Sequence, residues 1–418
     1  MYLDKPRVLL LQPPGLTKQF TRSASVYPPL GLCQLKAVLP EAVIIDAEGL
    51  GWDNQKTEQY IHDIQPEIVG LTITSFTLDL IFSWAQICKK HGAIVILGGP
   101  HATLAPENIF EKCNAVDVVI RGEGELVFPE LINTLLNQQL PDFTGVCYRK
   151  KDEIVISPVI LRVTDFDKLP FPDFSELPVV NYWCPDAQRT PMLTFMTTRG
   201  CPHKCGFCSS PEILGKKVRG WEPEAIAEEL EKLIALHGVR EISFVDDVFT
   251  INKKRLLRLC DAMINKQIKL SWFANARADQ VDDEIAEAMA AAGCHQLYLG
   301  FESGSQEILD RIEKGTTVEK LERGARILQQ YGISRSIGFV VGLPGETLET
   351  VNQTIALAQR IKPERIQFTR FTPLIGSPLQ DYYSGRDHFH QQQDDEIGNW
   401  IKHAYQSCAF KPWGKASI

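Results

Sequence analysis

Short runs of Val, Ile and Leu recur along this chain, each followed by an amphipathic stretch, in two blocks separated by a proline-rich segment. In the first block the runs are Val8–Leu11, Val43–Asp46, Ile68–Ile73, Ile94–Leu97 and Val116–Ile120. Helical spacing fills Leu30–Val38, Asn54–Ile64, Leu78–His91 and Glu125–Leu135. Apolar runs without strict alternation belong to strands covered on both faces. Strands alternating with helices predict a doubly wound parallel sheet over residues 1–140. Such sheets bind ligands at the carboxyl ends of their strands. Those ends carry Gln12-Pro13-Pro14-Gly15, Thr74-Ser75, Gly98-Gly99-Pro100-His101 and Arg121-Gly122-Glu123-Gly124-Glu125, all small, turn-forming or polar. Neither GxGxxG after the first strand nor GxxxxGK[ST] occurs, so a dinucleotide and a P-loop nucleotide are not supported.

Residues 141–190 hold six prolines, with Pro191 directly after them, and read as a linker with a small hairpin at Gly145–Tyr148 and Ile154–Ile156. In residues 191–375 the alternation resumes. Strands are predicted at Leu193–Thr197, Ile242–Val245, Ser271–Ala276, Gln296–Gly300, Ile337–Val341 and Ile366–Phe371. Six βα units without a reversal signal predict an open (β/α)6 barrel with its chemistry at the carboxyl ends of the strands. Residues 376–418, with Tyr382, Tyr383, His388, His390, Gln391–Gln393 and Trp400, read as a short tail.

Composition narrows the function. The 418 residues are 44% hydrophobic and 23% charged, with a net charge of −8 and basic residues scattered, which argues against nucleic acid as a partner. No signal-peptide pattern opens the chain and no apolar run reaches the ~18–20 residues that span a bilayer, so a cytoplasmic protein without membrane insertion is expected. Eleven cysteines, an odd number at irregular spacing, do not form a disulfide framework. Eight are isolated and read as small buried apolar residues. The other three form Cys201-Pro202-His203-Lys204-Cys205-Gly206-Phe207-Cys208, directly after the first barrel strand. Thiolates select zinc or iron–sulfur clusters. Three of them leave one metal position open, the mark of a catalytic rather than a structural site. The alternative on spacing is a zinc site completed by His203 or a distant histidine.

The CxxxCxφC spacing on the first loop of a βα barrel resembles the radical S-adenosylmethionine (SAM) superfamily. The resemblance implies that Cys201, Cys205 and Cys208 bind three irons of a [4Fe–4S] cluster while the fourth iron takes the amino and carboxylate groups of SAM. It implies SAM contacts from Phe207, Asp246 in Phe244-Val245-Asp246-Asp247, Asn275, Glu302 and Ser303 in Gly300-Phe301-Glu302-Ser303-Gly304, Arg335, and Gly342 in the GxIxGxxE-like stretch Gly338–Glu346.

A five-strand sheet ahead of such a barrel resembles the cobalamin-binding subgroup. Tyr27-Pro28-Pro29-Leu30-Gly31-Leu32 and the Gly98 and Arg121 segments match it, and the resemblance covers about residues 7 to 375. It implies cobalamin contacts from Gln12, Pro14, Thr74, Ser75, Gly98, Gly99, His101 and Glu123. DxHxxG, which supplies a cobalt-ligating histidine in domains of the methionine-synthase type, is absent. That leaves cobalamin bound without a protein histidine, or a domain that has lost it. The function implied is C-methylation of an unactivated carbon of a small molecule or lipid-like metabolite, through methylcobalamin and a 5′-deoxyadenosyl radical. Oxidative cyclisation or rearrangement without methyl transfer, and a non-catalytic zinc-stabilised cobalamin-binding protein, are the alternatives. The implied partners are a small-molecule substrate and an electron donor such as flavodoxin or ferredoxin, with a monomeric chain. No catalytic residue is singled out.

Overall fold

The computed structural model describes residues 7–16, 25–151, 153–382 and 390–408, without the side chains of residues 390–394. Tyr383 and His388 lie outside these residues, as do the side chains of His390 and Gln391–Gln393. The chain divides into two compact units, Met1–Cys184 and Pro185–Ile418.

The first unit runs β1 (Val8–Gln12), α1 (Leu30–Val38), β2 (Val43–Asp46), α2 (Asn54–Ile64), β3 (Ile68–Thr72), α3 (Leu78–Lys90), β4 (Ile94–Gly98), α4 (Pro100–Leu104), α5 (Pro106–Lys112), β5 (Val118–Ile120), α6 (Phe128–Leu136), β6 (Val146–Lys150) and β7 (Glu153–Val155). The strand order is β2-β1-β3-β4-β5-β6-β7, with β1 to β5 parallel. Leu9, Leu11, Val69, Leu71, Val95 and Leu97 bury one sheet face against Ile81, Trp84, Ala85 and Cys88 of α3. Gln12 pairs in register with Asp46, and Thr72 with Gly98, so the carboxyl ends of four strands share one edge.

The segment read as a linker belongs to this unit. Its hairpin adds β6 and β7 antiparallel to the open edge of β5, a pairing that leaves no signal in local residue pattern. The rest is pinned by polar contacts to buried Lys36 and Asp46. Glu176 receives Lys36 Nζ at 2.7 Å and the Ile44 N–H at 2.8 Å, and Tyr182 donates its hydroxyl to Asp46 at 2.7 Å.

The second unit runs β8 (Met192–Phe195), β9 (Thr198–Arg199), α7 (Ser210–Leu214), β10 (Arg219–Gly220), α8 (Pro223–His237), β11 (Glu241–Phe244), α9 (Lys253–Asn265), β12 (Ser271–Ala276), α10 (Asp283–Ala291), β13 (Cys294–Glu302), α11 (Gln306–Arg311), α12 (Val318–Gln330), β14 (Ser334–Val341), α13 (Leu348–Ile361), β15 (Arg365–Arg370) and α14 (His390–Cys408). Six parallel strands in the order β15-β14-β13-β12-β11-β8 form the open (β/α)6 sheet. Phe195, Phe244, Phe249 and Trp272 stack through its first half with ring centroids 4.8–6.5 Å apart.

The amino ends of the strands are closed by buried charge. Glu241, fully buried, accepts the N–H groups of Gln188 and Arg189, the Ser271 hydroxyl at 2.8 Å and His295 Nε2 at 2.8 Å. Asp186 takes Arg365 at 2.6 Å and the Gln296 amide. A buried carboxylate is tolerated only when its lone pairs are filled this way. This network starts the second unit at about residue 185 rather than 191.

Candidate functional site

The cysteine loop is fixed at both ends before any ligand is considered. Gly200 adopts φ +99°, and a side chain there would strike the Lys217 carbonyl. The Cys201 N–H reaches the Gly215 carbonyl at 3.0 Å, and Gly206 is held by Ile312 O and the Leu379 N–H. Cys201 and Cys205 are buried and Cys208 is half-buried. Burial raises the pKa of Cys201 and Cys208, partly offset at Cys201 by the His203 N–H and at Cys208 by the Ser210 N–H, which lies 3.4 Å from its sulfur. These thiols become thiolates only beside a strong cation, and that is what a metal supplies. His203 Nε2 lies 3.2 Å from the Gln280 amide nitrogen, whose Oε1 accepts from Thr250, so that ring nitrogen is committed as an acceptor. Among the described residues no group of three or more His, Cys, Asp or Glu gathers round one ion position.

Around the loop stand residues from later strand ends. Glu302 sits at a register shift in β13 with φ +64°. The bulge aims its carboxylate back over Gly300, where a Cβ would collide with it. Lys314 Nζ pairs with Glu302 at 2.7 Å and lies 5.6 Å from the Phe207 ring centroid. Its carbonyl accepts from Arg277 at 2.8 Å. Arg277 is 4% exposed, donates twice to Asp279 at 2.9 and 3.1 Å, and places Nη1 3.8 Å from Cys205 Sγ. Asn275 Nδ2 points to the Asp246 carbonyl at 3.4 Å.

The two adjacent aspartates differ. Asp246 is fully committed: it accepts the Thr197 N–H and hydroxyl at 2.6 Å and the Thr198 hydroxyl at 2.5 Å. Asp247 accepts only Ser210 Oγ, at 2.7 Å, and its Oδ2 is buried without a partner. Burial raises both carboxyl pKa values. An orphaned buried carboxylate oxygen fits an ammonium ligand. The acid expected to hold the SAM amine is therefore Asp247 rather than Asp246. The sequence places both at one strand end without showing which one the threonines occupy.

Three further residues fall away from this cluster. Arg335 opens β14, at the end opposite the cysteine loop, and its guanidinium is taken by Glu364 at 2.7 and 3.0 Å and by the Lys362 carbonyl. Ser303 is fully buried beside Thr354 of α13, and Gly304 approaches that helix so closely that a Cβ would meet its backbone. Gly342, at φ +92°, lies against Ile397 of α14, and its N–H goes to Glu346 at 2.5 Å. Burial lifts Glu346 to about 7, its two backbone partners notwithstanding.

In the first unit a cavity of about 400 Å³ opens at the shared strand edge, lined among others by Gln12, Tyr27, Glu48, Thr72, Thr74 and Thr77. Gln12 and Thr74, named from the sequence, both lie on this lining. Pro14 is buried, between the lining residues Gln12 and Leu16 in sequence. His101 is not available as a ligand: Nδ1 meets Ser75 Oγ at 3.0 Å and Nε2 meets Asn108 at 3.2 Å. Ser75 is thereby spent as well. Glu123 accepts the Val163 N–H at 2.6 Å, and Gly122 abuts Leu161, so this motif anchors the following segment instead of a cofactor. Of the two glycines, Gly98 has open space where a Cβ would stand, whereas Gly99, at φ +104°, is pressed against Thr72 and Ile73.

Residues 195–358 match the radical SAM superfamily and residues 20–132 match the B12 binding domain. An uncharacterized methyltransferase of Pyrococcus horikoshii is 34% identical over 384 residues, which are 90% of this chain and 83% of the relative. The chain belongs to the cobalamin-binding radical SAM family. Its cofactors are a [4Fe–4S] cluster, SAM and cobalamin. The anaerobic magnesium-protoporphyrin IX monomethyl ester cyclase of Cereibacter sphaeroides is 28% identical over 409 residues, 93% of this radical SAM chain and 64% of the cyclase, whose length it spans only in part. Two solved structures share the fold. They are the radical SAM methyltransferase TsrM from Kitasatospora setae (19% identity, TM-score 0.76, 91% of this chain and 76% of that one) and the cobalamin-dependent radical enzyme OxsB (21%, 0.71, 93% and 56%).

The residues present fit these groups. Two buried thiols and one half-buried thiol on one loop, with N–H groups aimed at their sulfurs, suit a cluster. Asp247 suits the SAM amine, and the cavity, with Gly98 paired to its lining residue Thr72 and open space at its Cβ position, suits part of a corrinoid. Gly98→Leu is expected to lower cobalamin retained after gel filtration at least several-fold while leaving iron content unchanged. Unchanged cobalt-to-protein ratio in that variant would remove Gly98 from the site. Gly99→Leu cannot serve as the test, because it strains the backbone itself.

Proposed function

We propose that this chain is a cobalamin-dependent radical SAM C-methyltransferase acting on a small molecule or lipid-like metabolite. The observation that carries the reading is the 34% identity to a methyltransferase over 83% of that relative's length, across both units. Cytidylyl-2-hydroxyethylphosphonate methyltransferase of Streptomyces wedmorensis, 24% identical over 89% of this chain, supports it. When bound, the cluster and SAM supply a carbon-centred radical and cobalamin a transferable methyl group.

The chain's own residues bind and orient. Cys201, Cys205 and Cys208 hold the cluster, and Asp247 takes the SAM ammonium. Glu302, fixed by Lys314, offers a carboxylate to hydroxyl donors such as those of a ribose. Phe207 packs beside them under the Lys314 ammonium. Gln12, Thr74 and Gly98 line the corrinoid site. A cytoplasmic, monomeric enzyme reduced by a flavodoxin or ferredoxin is the setting that accompanies this reading; no helix among the described residues is long and apolar enough to cross a membrane.

A second reading, oxidative cyclisation without methyl transfer, is favoured by the cyclase relatives, which are 26–28% identical. Product analysis separates the two. Methyl transfer is expected to yield S-adenosylhomocysteine and 5′-deoxyadenosine in equal amounts. Formation of 5′-deoxyadenosine with no S-adenosylhomocysteine would reject methyl transfer.

A further inference from the structure

Arg277 is a buried cation placed against a cluster ligand, and its partners account for every part of its guanidinium. Nε and Nη2 form a fork on Asp279 at 3.1 and 2.9 Å, Nη2 also meets the Lys314 carbonyl at 2.8 Å, and Nη1 is left facing Cys205 Sγ at 3.8 Å. The fork fixes the plane of the group, so the N–H aimed at sulfur does not depend on a mobile side chain. Asp279 lies on the far side of the same guanidinium and partly neutralises it. The pair therefore forms a small dipole with its positive end on the sulfur.

Hydrogen bonds to cluster sulfurs and nearby charge are the main protein controls of iron–sulfur potentials. Adding one electron makes the cluster more negative, which a fixed positive end beside a ligating sulfur favours, and the effect is large where water is excluded. We infer that Arg277 is a positioning and redox-tuning residue: it raises the reduction potential of the cluster through the Cys205 thiolate, and Asp279 limits the rise. The inference rests on the assignment of Cys205 as a cluster ligand. The electron itself comes from a low-potential one-electron donor of the flavodoxin or ferredoxin class.

The test is the midpoint potential of the cluster in the full chain, reconstituted without oxygen and poised with dithionite and mediators. Reduced cluster is read by electron paramagnetic resonance, and iron and sulfide are measured in every sample. In Arg277→Gln the ratio of reduced to oxidised cluster, at the potential where the natural protein is half reduced, is expected to fall about tenfold, which is about 59 mV for one electron. Asp279→Asn is expected to move the ratio the opposite way by several-fold, because it removes the compensating carboxylate and keeps the N–H. A purely structural role predicts no such change of sign. Equal midpoints in Arg277→Gln and the natural protein at full iron content, or a downward shift in Asp279→Asn, overturn the inference. If Arg277→Gln does not retain iron, the Asp279→Asn result decides alone. Natural protein without iron and sulfide would instead overturn the ligand assignment beneath it.

Discussion

Replacing any one of Cys201, Cys205 or Cys208 with Ala is expected to reduce iron and acid-labile sulfide to background and to abolish turnover. Each of these thiols is held by a loop whose backbone is fixed at Gly200, Cys201 and Gly206 independently of the sulfur. Loss of one ligand therefore does not let another side chain swing in. The other eight cysteines are buried outside the loop, and the same replacement at Cys184 or Cys294 is expected to leave iron content unchanged. Full iron and sulfide in any of the three loop variants, measured after anaerobic reconstitution, would contradict the assignment.

The second large effect separates the neighbouring aspartates. Asp246→Ala strips the acceptor from the Thr197 N–H and two threonine hydroxyls, all buried, and leaves Arg255 without its nearby charge. The cost expected is about 3–5 kcal/mol, a fall in melting temperature of roughly 6–20 °C for a unit of this size. Asp247→Asn removes no acceptor from a buried donor except Ser210 Oγ and is expected to change stability far less than Asp246→Ala. It is also expected to weaken SAM binding roughly 10–100-fold through loss of a charge-assisted hydrogen bond. Calorimetric melting and equilibrium dialysis against SAM on cluster-loaded protein read the two effects apart. If Asp246→Ala melts like the natural protein, or Asp247→Asn binds SAM as tightly, the division of labour drawn from the hydrogen bonds is wrong.

The strands and helices were legible because their apolar spacing is local: Val43–Asp46, Leu30–Val38, Asn54–Ile64 and Ser271–Ala276 begin and end where the residue pattern places them. The cysteine loop was legible for the same reason, since one octapeptide carries all three sulfurs. What a side chain meets across the fold was not. His101, Glu123 and Gly342 follow the carboxyl ends of strands, the right places for ligand contacts, yet Asn108, Val163 and Ile397 claim them. Arg335 failed on polarity of position. It lies six residues before the end of β14, roughly 20 Å along a strand from the carboxyl rim. Arg277 and Lys314 stand in the sequence as isolated basic residues. Their meaning appears only when Asp279, Glu302 and Cys205 surround them, although the Arg-x-Asp spacing was a signal available in the sequence.

Among the described residues the open barrel leaves β15 as a terminal strand with one flank unpaired by another strand, and α14 lies along it: the Tyr405 hydroxyl bonds to both the N–H and the carbonyl of Phe368, at 3.0 and 3.4 Å. A row of free main-chain donors and acceptors invites a stranger's strand. Helix α14 thus covers main-chain groups that another strand would otherwise find, and shortening the chain before Tyr405 is expected to raise self-association, read by light scattering.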